Sequence, residues 1–212
     1  MHETEPSTAR SAAIAEPAEP RPPGWVRSLP NALTIARLVM AAVFVAMLTG
    51  IDPSETGRLF GAAALFVVAA LTDAADGYLA RRFDAISKFG RIADPFADKI
   101  LVLGAFVMLA GPGLGGASGV QPWMVVTILS RELLVTSIRA VFEGSGADFS
   151  ASTTGKLKMI AQSVGAPLIL VSIAVEWSLV AEITAYMILS ITVLSVLPYL
   201  WRAAELSRRG AA

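Results

Sequence analysis

The sequence has no cysteine and one histidine, His2, near its start. The first absence excludes disulfides, thiolate metal sites and cysteine nucleophiles. The second leaves no histidine-based catalytic centre, because His2 sits in a polar stretch apart from every other candidate group. Charge is also scarce. Asp, Glu, Lys and Arg make up 16% of the 212 residues, whereas a soluble domain carries about 25%. The formal net charge is zero, so nothing in the overall balance points to a nucleic-acid partner. What is abundant is apolar: 55% of residues are hydrophobic and the mean hydropathy is +0.63. Lipid is therefore the expected solvent.

A helix that crosses a bilayer takes roughly 20 mostly apolar residues. Six segments meet or approach that length: 33–48, 59–79, 92–110, 123–142, 157–177 and 183–201. The expected fold class is all-α, a bundle of six transmembrane helices. Lys and Arg favour the cytoplasmic side of such a bundle. They fall in alternate connections: Arg10, Arg21 and Arg27 before the first span; Arg81, Arg82, Lys88 and Arg91 after the second; Arg139, Lys156 and Lys158 after the fourth; Arg202, Arg208 and Arg209 after the sixth. The intervening connections hold Arg58, a Gly-rich uncharged loop over 111–119, and Glu176 and Glu182. Both termini are therefore expected in the cytoplasm. Residues 1–24, rich in Pro, Ala and Glu, read as a disordered tail. Residues 25–204 form the membrane domain, with a short tail over 205–212. Trp25, Val26 and Leu29 suit a short interfacial helix ahead of the first span. Trp25, Trp123, Trp177 and Trp201 fall at span ends, as an aromatic belt does.

The stretch from Asp73 to Asp98 reads DAADGYLARRFDAISKFGRIADPFAD. Asp73 and Asp76 are three residues apart and Asp94 and Asp98 four, so each pair shares a helix face. One pair closes the second span and the other opens the third, and the hairpin between brings all four to one membrane face. Acids within spans are costly and mark function. Four together repel unless cations lie between them. Hard divalent ions prefer carboxylate oxygen and commonly bind alongside substrate phosphates. Two such ions can clamp the attacking and leaving oxygens of a phosphoryl transfer. Small residues at Gly77 and Ala80 allow a ligand close to the backbone, and the Arg81 guanidinium suits phosphate. Asp84 reads instead as a solvated partner of the neighbouring Arg and Lys.

This pattern, Asp73, Asp76, Gly77, Ala80, Arg81, Gly90, Asp94 and Asp98, resembles the D-x2-D-G-x2-A-R-x8-G-x3-D-x3-D signature of the CDP-alcohol phosphatidyltransferase family, with every spacing matched. LPNALTIAR (29–37), SRELLVTSIR (130–139) and TGKLKMIAQ (154–162) are similar to segments of bacterial members that make phosphatidylglycerol phosphate. Ser152, Thr153 and Thr154, ahead of Gly155, depart from the bulkier residue found near that place. The resemblance implies a six-helix membrane enzyme of phospholipid biosynthesis, homodimeric, in the inner or plasma membrane, with its site facing the cytoplasm. It implies CDP-diacylglycerol as donor and sn-glycerol 3-phosphate as acceptor, and Mg²⁺ or Mn²⁺ as a pair of ions. Asp73, Asp76 and Asp94 would be metal ligands, and Asp98 the general base and a further ligand. Asn31, Thr34, Asp73, Gly77, Ala80 and Arg81 would meet the CDP-lipid.

An acceptor that carries its own phosphate needs fixed cations. Arg131 and Arg139, eight residues apart and so near one helix face, and Lys156 are the expected set, with Lys158 and Arg37 on the same side. The bland alternative is helix-end anchoring by cations that snorkel to lipid phosphates. Two other acceptors stay open: inositol phosphate, or phosphatidylglycerol as in a cardiolipin synthase. A cation transporter is a separate class that also lines its path with acids, but here nothing continues them toward the other membrane face and no inverted halves are visible.

Overall fold

The computed structural model describes the backbone of residues 24–83, 88–144 and 153–210, and their side chains other than those of 24–31, 74–83, 88–95, 97, 98, 143, 144, 153, 209 and 210. The described elements are all helices: α1 (Gly24–Leu48), α2 (Thr56–Phe83), α3 (Lys88–Leu109), α4 (Gly115–Ser118), α5 (Pro122–Gly144), α6 (Thr153–Ala174), α7 (Ser178–Leu194) and α8 (Leu197–Gly210). Residues 1–23, the greater part of the expected N-terminal tail, lie outside the described residues.

Three stretches are long and apolar enough to cross a membrane: Thr56–Asp73, Thr154–Ala174 and Ser178–Arg208, the last running over both α7 and α8. Shorter apolar helices cover Ala32–Leu48 and Lys99–Leu109. By length and composition the chain is a membrane protein. The length of α5 also suits a crossing, but Arg131, Glu132 and Arg139 interrupt its apolar run.

The core is built where apolar residues from α1, α2, α3, α6 and α7 meet. Phe44 of α1 and Phe66 of α2, both fully buried, contact edge to face with centroids 5.6 Å apart. Around them lie Leu59, Ala62, Ala105, Phe106, Ile169 and Leu170. Many small residues allow close helix approach in the absence of a hydrophobic drive between helices in lipid. Gly165 marks the tightest place: a Cβ there would sit 2.9 Å from Cγ1 of Ile188 on α7, which is itself buried.

The structure departs from the sequence expectation at three places. The first helix does not split into an interfacial segment and a span, because α1 runs unbroken from Gly24 through Pro30. The uncharged Gly-rich loop contains the short helix α4, closed by Gly119 at φ 69°. The expected last span, 183–201, is instead α7 followed by a break at Ser195–Val196 and then α8, which carries the helix through 205–210 where a tail was expected. Pro198 is the physical cause. It has no N–H to give the Leu194 carbonyl, so α7 cannot continue, yet it fits the first turn of a new helix, where no such donor is needed. At the corner the Ser195 N–H reaches Ile191 O and the Val196 N–H reaches Val193 O in a tightened last turn. Tyr199, Ala203 and Leu206 of α8 then pack on Val135, Ile138 and Phe142 of α5.

Candidate active site

Two groups of polar side chains lie in the interior at one end of the bundle. Arg37, in the middle of α1, is 1% exposed, and its guanidinium is ion-paired with Asp73 of α2, whose side chain is 38% exposed. A buried guanidinium needs such a partner, because leaving a charge unpaired in a dry interior costs several kcal/mol, roughly 3–5 when one member of a buried pair is removed. The pair lines a cavity of about 230 Å³ whose other walls are Phe66, Ala70, Leu101, Val102, Met159, Ile160, Ser163 and Val164. One end of this space is charged and the rest is apolar, which suits an amphiphile. Pro167, inside α6, leaves the carbonyl of Ser163 without its usual helical donor at this wall.

A second polar group joins α5, α6, α7 and α8. Glu132 Oε1 accepts from Lys158 Nζ at 2.7 Å and from Arg131 Nη1 at 3.2 Å. Arg131 is 7% exposed, and its Nε donates to Ser195 Oγ at 3.0 Å. Ser195 in turn donates to the Thr192 carbonyl at 2.6 Å. Gln162 donates to Thr192 Oγ1 at 3.2 Å. The Tyr199 ring lies under the guanidinium, 5.7 Å from Cζ to centroid, within the range of a cation–π contact. Arg131 Nη2 is buried and has no hydrogen-bond partner. Two buried cations thus share one buried carboxylate, leaving one excess positive charge and one nitrogen, Nη2, with its donors unspent.

The two groups are neighbours. A small cavity of about 20 Å³, lined by Lys99, Leu103, Glu132, Lys158 and Gln162, shares Val102 and Met159 with the larger one. Lys99, which follows Asp98 in the chain, donates to Thr136 Oγ1 of α5 at 2.8 Å.

Of the residues expected from sequence, Asp73 and Thr34 are described, and Thr34 is buried on α1 one turn before Arg37. The side chains of Asn31, Asp76, Gly77, Ala80, Arg81, Asp94 and Asp98 lie outside the described residues. Their helix positions are described. Asp73 and Asp98 stand roughly three turns from the ends of α2 and α3 that face the 84–87 connection, and Asp76 and Asp94 roughly two. Among the described residues no three Asp, Glu or His side chains converge as a metal site. The donor chemistry does fit a hard divalent ion: Asp73 offers a half-open carboxylate on the cavity wall, and Asp76 on α2 and Asp94 and Asp98 on α3 stand at matched distances from the 84–87 connection.

Among the basic residues, Arg131 is buried, Arg139 half-buried and Lys156 exposed, while Lys158 is buried on Glu132. Sequence reasoning underweighted Arg37 and Lys158. The available signal for Lys158 was geometric: residues two apart on a helix point about 200° apart, so only one of Lys156 and Lys158 can face inward. Glu132, as the shared acceptor, had no signal beyond its place next to Arg131.

A family model described as CDP-alcohol phosphatidyltransferase matches residues 27–197. The CDP-diacylglycerol–glycerol-3-phosphate 3-phosphatidyltransferase of Bacillus subtilis (strain 168) is 36% identical over 154 residues, covering 68% of this chain and 76% of its own. The protein of the same name from Rickettsia bellii (strain RML369-C) is 34% identical over 176 residues, covering 81% of this chain and 93% of its own. A probable phosphatidylglycerophosphate synthase of Mycobacterium tuberculosis (strain ATCC 25618 / H37Rv) is 34% identical over 201 residues, 93% of each chain.

Proposed function

Because the chain belongs to the CDP-alcohol phosphatidyltransferase family, we propose that it moves the phosphatidyl group of CDP-diacylglycerol to sn-glycerol 3-phosphate, giving phosphatidylglycerol phosphate and CMP. The observation that carries this reading is the complete eight-position signature from Asp73 to Asp98 in a chain whose relatives bear that activity in their names. The acceptor is favoured over a phosphate-free alcohol by the buried excess cation at Arg131, Glu132 and Lys158.

In this reading the acceptor hydroxyl loses its proton to the Asp98 carboxylate. The freed oxygen attacks the β-phosphorus of the donor, and the bond from that phosphorus to the bridging oxygen breaks, so CMP departs with the bonding electrons. A base must lie within roughly 2.6–3.2 Å of the proton it takes, directly or through one water. Asp73, Asp76, Asp94 and Asp98 would hold two Mg²⁺ or Mn²⁺ ions, which supply positive charge that offsets the repulsion between two anionic substrates. Arg37 holds the Asp73 carboxylate in place. Asn31, Thr34, Asp73, Gly77, Ala80 and Arg81 would meet the CDP moiety, with the diacylglycerol tails along the apolar side of the 230 Å³ cavity. Arg131, Arg139 and Lys156 would meet the acceptor phosphate.

Six spans over a membrane domain of 25–204, both termini in the cytoplasm, a site opening to that side of the inner or plasma membrane, and a homodimer complete the proposal. The Lys and Arg distribution among the connections supports the orientation. The decisive experiment is CMP release from CDP-diacylglycerol by purified protein with Mg²⁺ or Mn²⁺, comparing glycerol 3-phosphate, inositol phosphate and phosphatidylglycerol. Release with glycerol 3-phosphate alone is expected. Release with another acceptor instead overturns the acceptor and keeps the chemistry.

A further inference from the structure

The corner between α7 and α8 reaches into the polar interior at one residue, Arg131. An arginine has five N–H donors on a planar group at the end of a long, flexible stem, and holding it in one pose costs about 2 kcal/mol of rotamer freedom. Here the pose is fixed from three sides. Nε donates to Ser195 Oγ, Nη1 donates to Glu132, and the ring of Tyr199 lies against the guanidinium. Bonds to two different nitrogens of a planar group set both its plane and its rotation. The nitrogen left without any partner is Nη2, which is buried.

Ser195 is suited to this task by its own bond. Its hydroxyl proton is committed to the Thr192 carbonyl at 2.6 Å, so its oxygen faces Nε as an acceptor. Both contacts come from the break at Ser195–Val196 and the turn that follows it. The break ends α7 with Ser195 at the guanidinium and starts α8 with Tyr199, 5% exposed, at its face.

We propose that Ser195 and Tyr199 are positioning residues that hold Arg131 with Nη2 directed at the phosphate of the acceptor. The proposal rests on the acceptor reading given above and adds the residues that make Nη2 of Arg131 available for it. Neither residue belongs to the signature, and neither carries charge.

The test is steady-state CMP release by the full-length protein in detergent, with the acceptor and then the donor varied, for Ser195→Ala, Ser195→Thr, Tyr199→Leu, Tyr199→Phe and Arg131→Ala. Losing one hydrogen bond to a charged group predicts a rise of about tenfold in KM for glycerol 3-phosphate in Ser195→Ala, with a smaller change in kcat and none in KM for CDP-diacylglycerol. Ser195→Thr, which keeps the hydroxyl, restores the acceptor KM. Tyr199→Leu raises it and Tyr199→Phe, which keeps the ring, raises it less. The preference for glycerol 3-phosphate over glycerol falls in parallel, a ratio that a general loosening of the corner would not move. If Arg131→Ala raises the acceptor KM while Ser195→Ala and Tyr199→Leu leave it and the preference ratio unchanged, the positioning role is wrong and the acceptor site stands. If Arg131→Ala itself leaves the acceptor KM unchanged, the acceptor assignment fails and this proposal with it. Should Ser195→Ala yield no folded protein, Tyr199→Leu decides by the same ratio.

Discussion

At the end of the bundle where α1 passes to α2, the charged residues Asp52, Glu55 and Arg58 lie in or beside a short connection and bind its backbone and the end of α1. Arg58 donates to the Met47 and Thr49 carbonyls at the C-terminus of α1 and to both oxygens of Glu55. Glu55 accepts from the Asp52 backbone N–H, and Asp52 accepts from Ser54. These charges are in contact with water and serve the local backbone. At the other end, Arg37, Asp73, Arg131, Glu132 and Lys158 sit inside helices, and their contacts link α1 to α2 and α5 to α6. A buried ion pair gives little net stability, so the second arrangement is explained by what it can bind and the first by the backbone it holds. Substitutions at the two ends should therefore separate into losses of turnover and losses of fold.

The largest separation is expected at Asp98. Asp98→Asn should lower turnover by a factor of about 10²–10⁴, the range for a lost general base, while thermal stability in detergent and CDP-diacylglycerol binding persist. Turnover like that of the parent would remove Asp98 from the base role. Next comes Glu132→Ala, which strands Arg131 and Lys158 as buried cations with no shared carboxylate. Loss of about 3–5 kcal/mol of stability is expected, read as a sharply lower midpoint of thermal aggregation. An unchanged midpoint would mean that the interior there is wet. This is the one site at which the two kinds of loss should coincide.

At the opposite end Gly119→Ala should cost stability and spare the kinetics of whatever protein folds. Its φ of 69° favours glycine, and a Cβ would lie 2.7 Å from the Glu182 backbone Cα on α7. Overpacking of this kind costs about 1–3 kcal/mol. A changed KM for either substrate would show that the two ends are coupled. The smallest effect concerns pH. The Ser54 hydroxyl, and then its backbone N–H, hold the Asp52 carboxyl below its ordinary value of 3.8. The Asp52 N–H, and then Arg58, lower Glu55 from 4.5. A carboxyl lowered on folding stabilises above its unfolded value, and that contribution is lost as the pH falls through the lowered one. Ser54→Ala should return Asp52 toward 3.8 in an NMR titration and leave CMP release at neutral pH unaltered.

The helices were legible because apolar runs of spanning length leave few alternatives, and their observed ends lie within several residues of the expected ones over α2, α3, α5 and α6. The α7–α8 break was not read, because the apolar run continues across Ser195 and hydropathy has no term for a missing N–H. Pro198 was the local signal. At the site, the signature aspartates and Arg131 stood out by type and spacing along one or two helices. The Arg37–Asp73 and Glu132–Lys158 pairs each join two consecutive helices, and hydrophobic period alone does not say which faces of those helices meet.

The placing of Ser195 and Tyr199 against Arg131 also has a consequence in time. A ribosome makes the chain from its N-terminus, and Ser195 follows Arg131 by 64 positions. At roughly 5–20 residues per second that is a delay of about 3–13 seconds. Arg37 and Asp73 can find each other while most of the chain is still unmade, but the clasp on Arg131 closes only when nearly the last helix has entered the membrane. A nascent chain thus has its first buried ion pair well before its second polar cluster is complete, and truncation ahead of Leu197 would leave that cluster permanently open on one side.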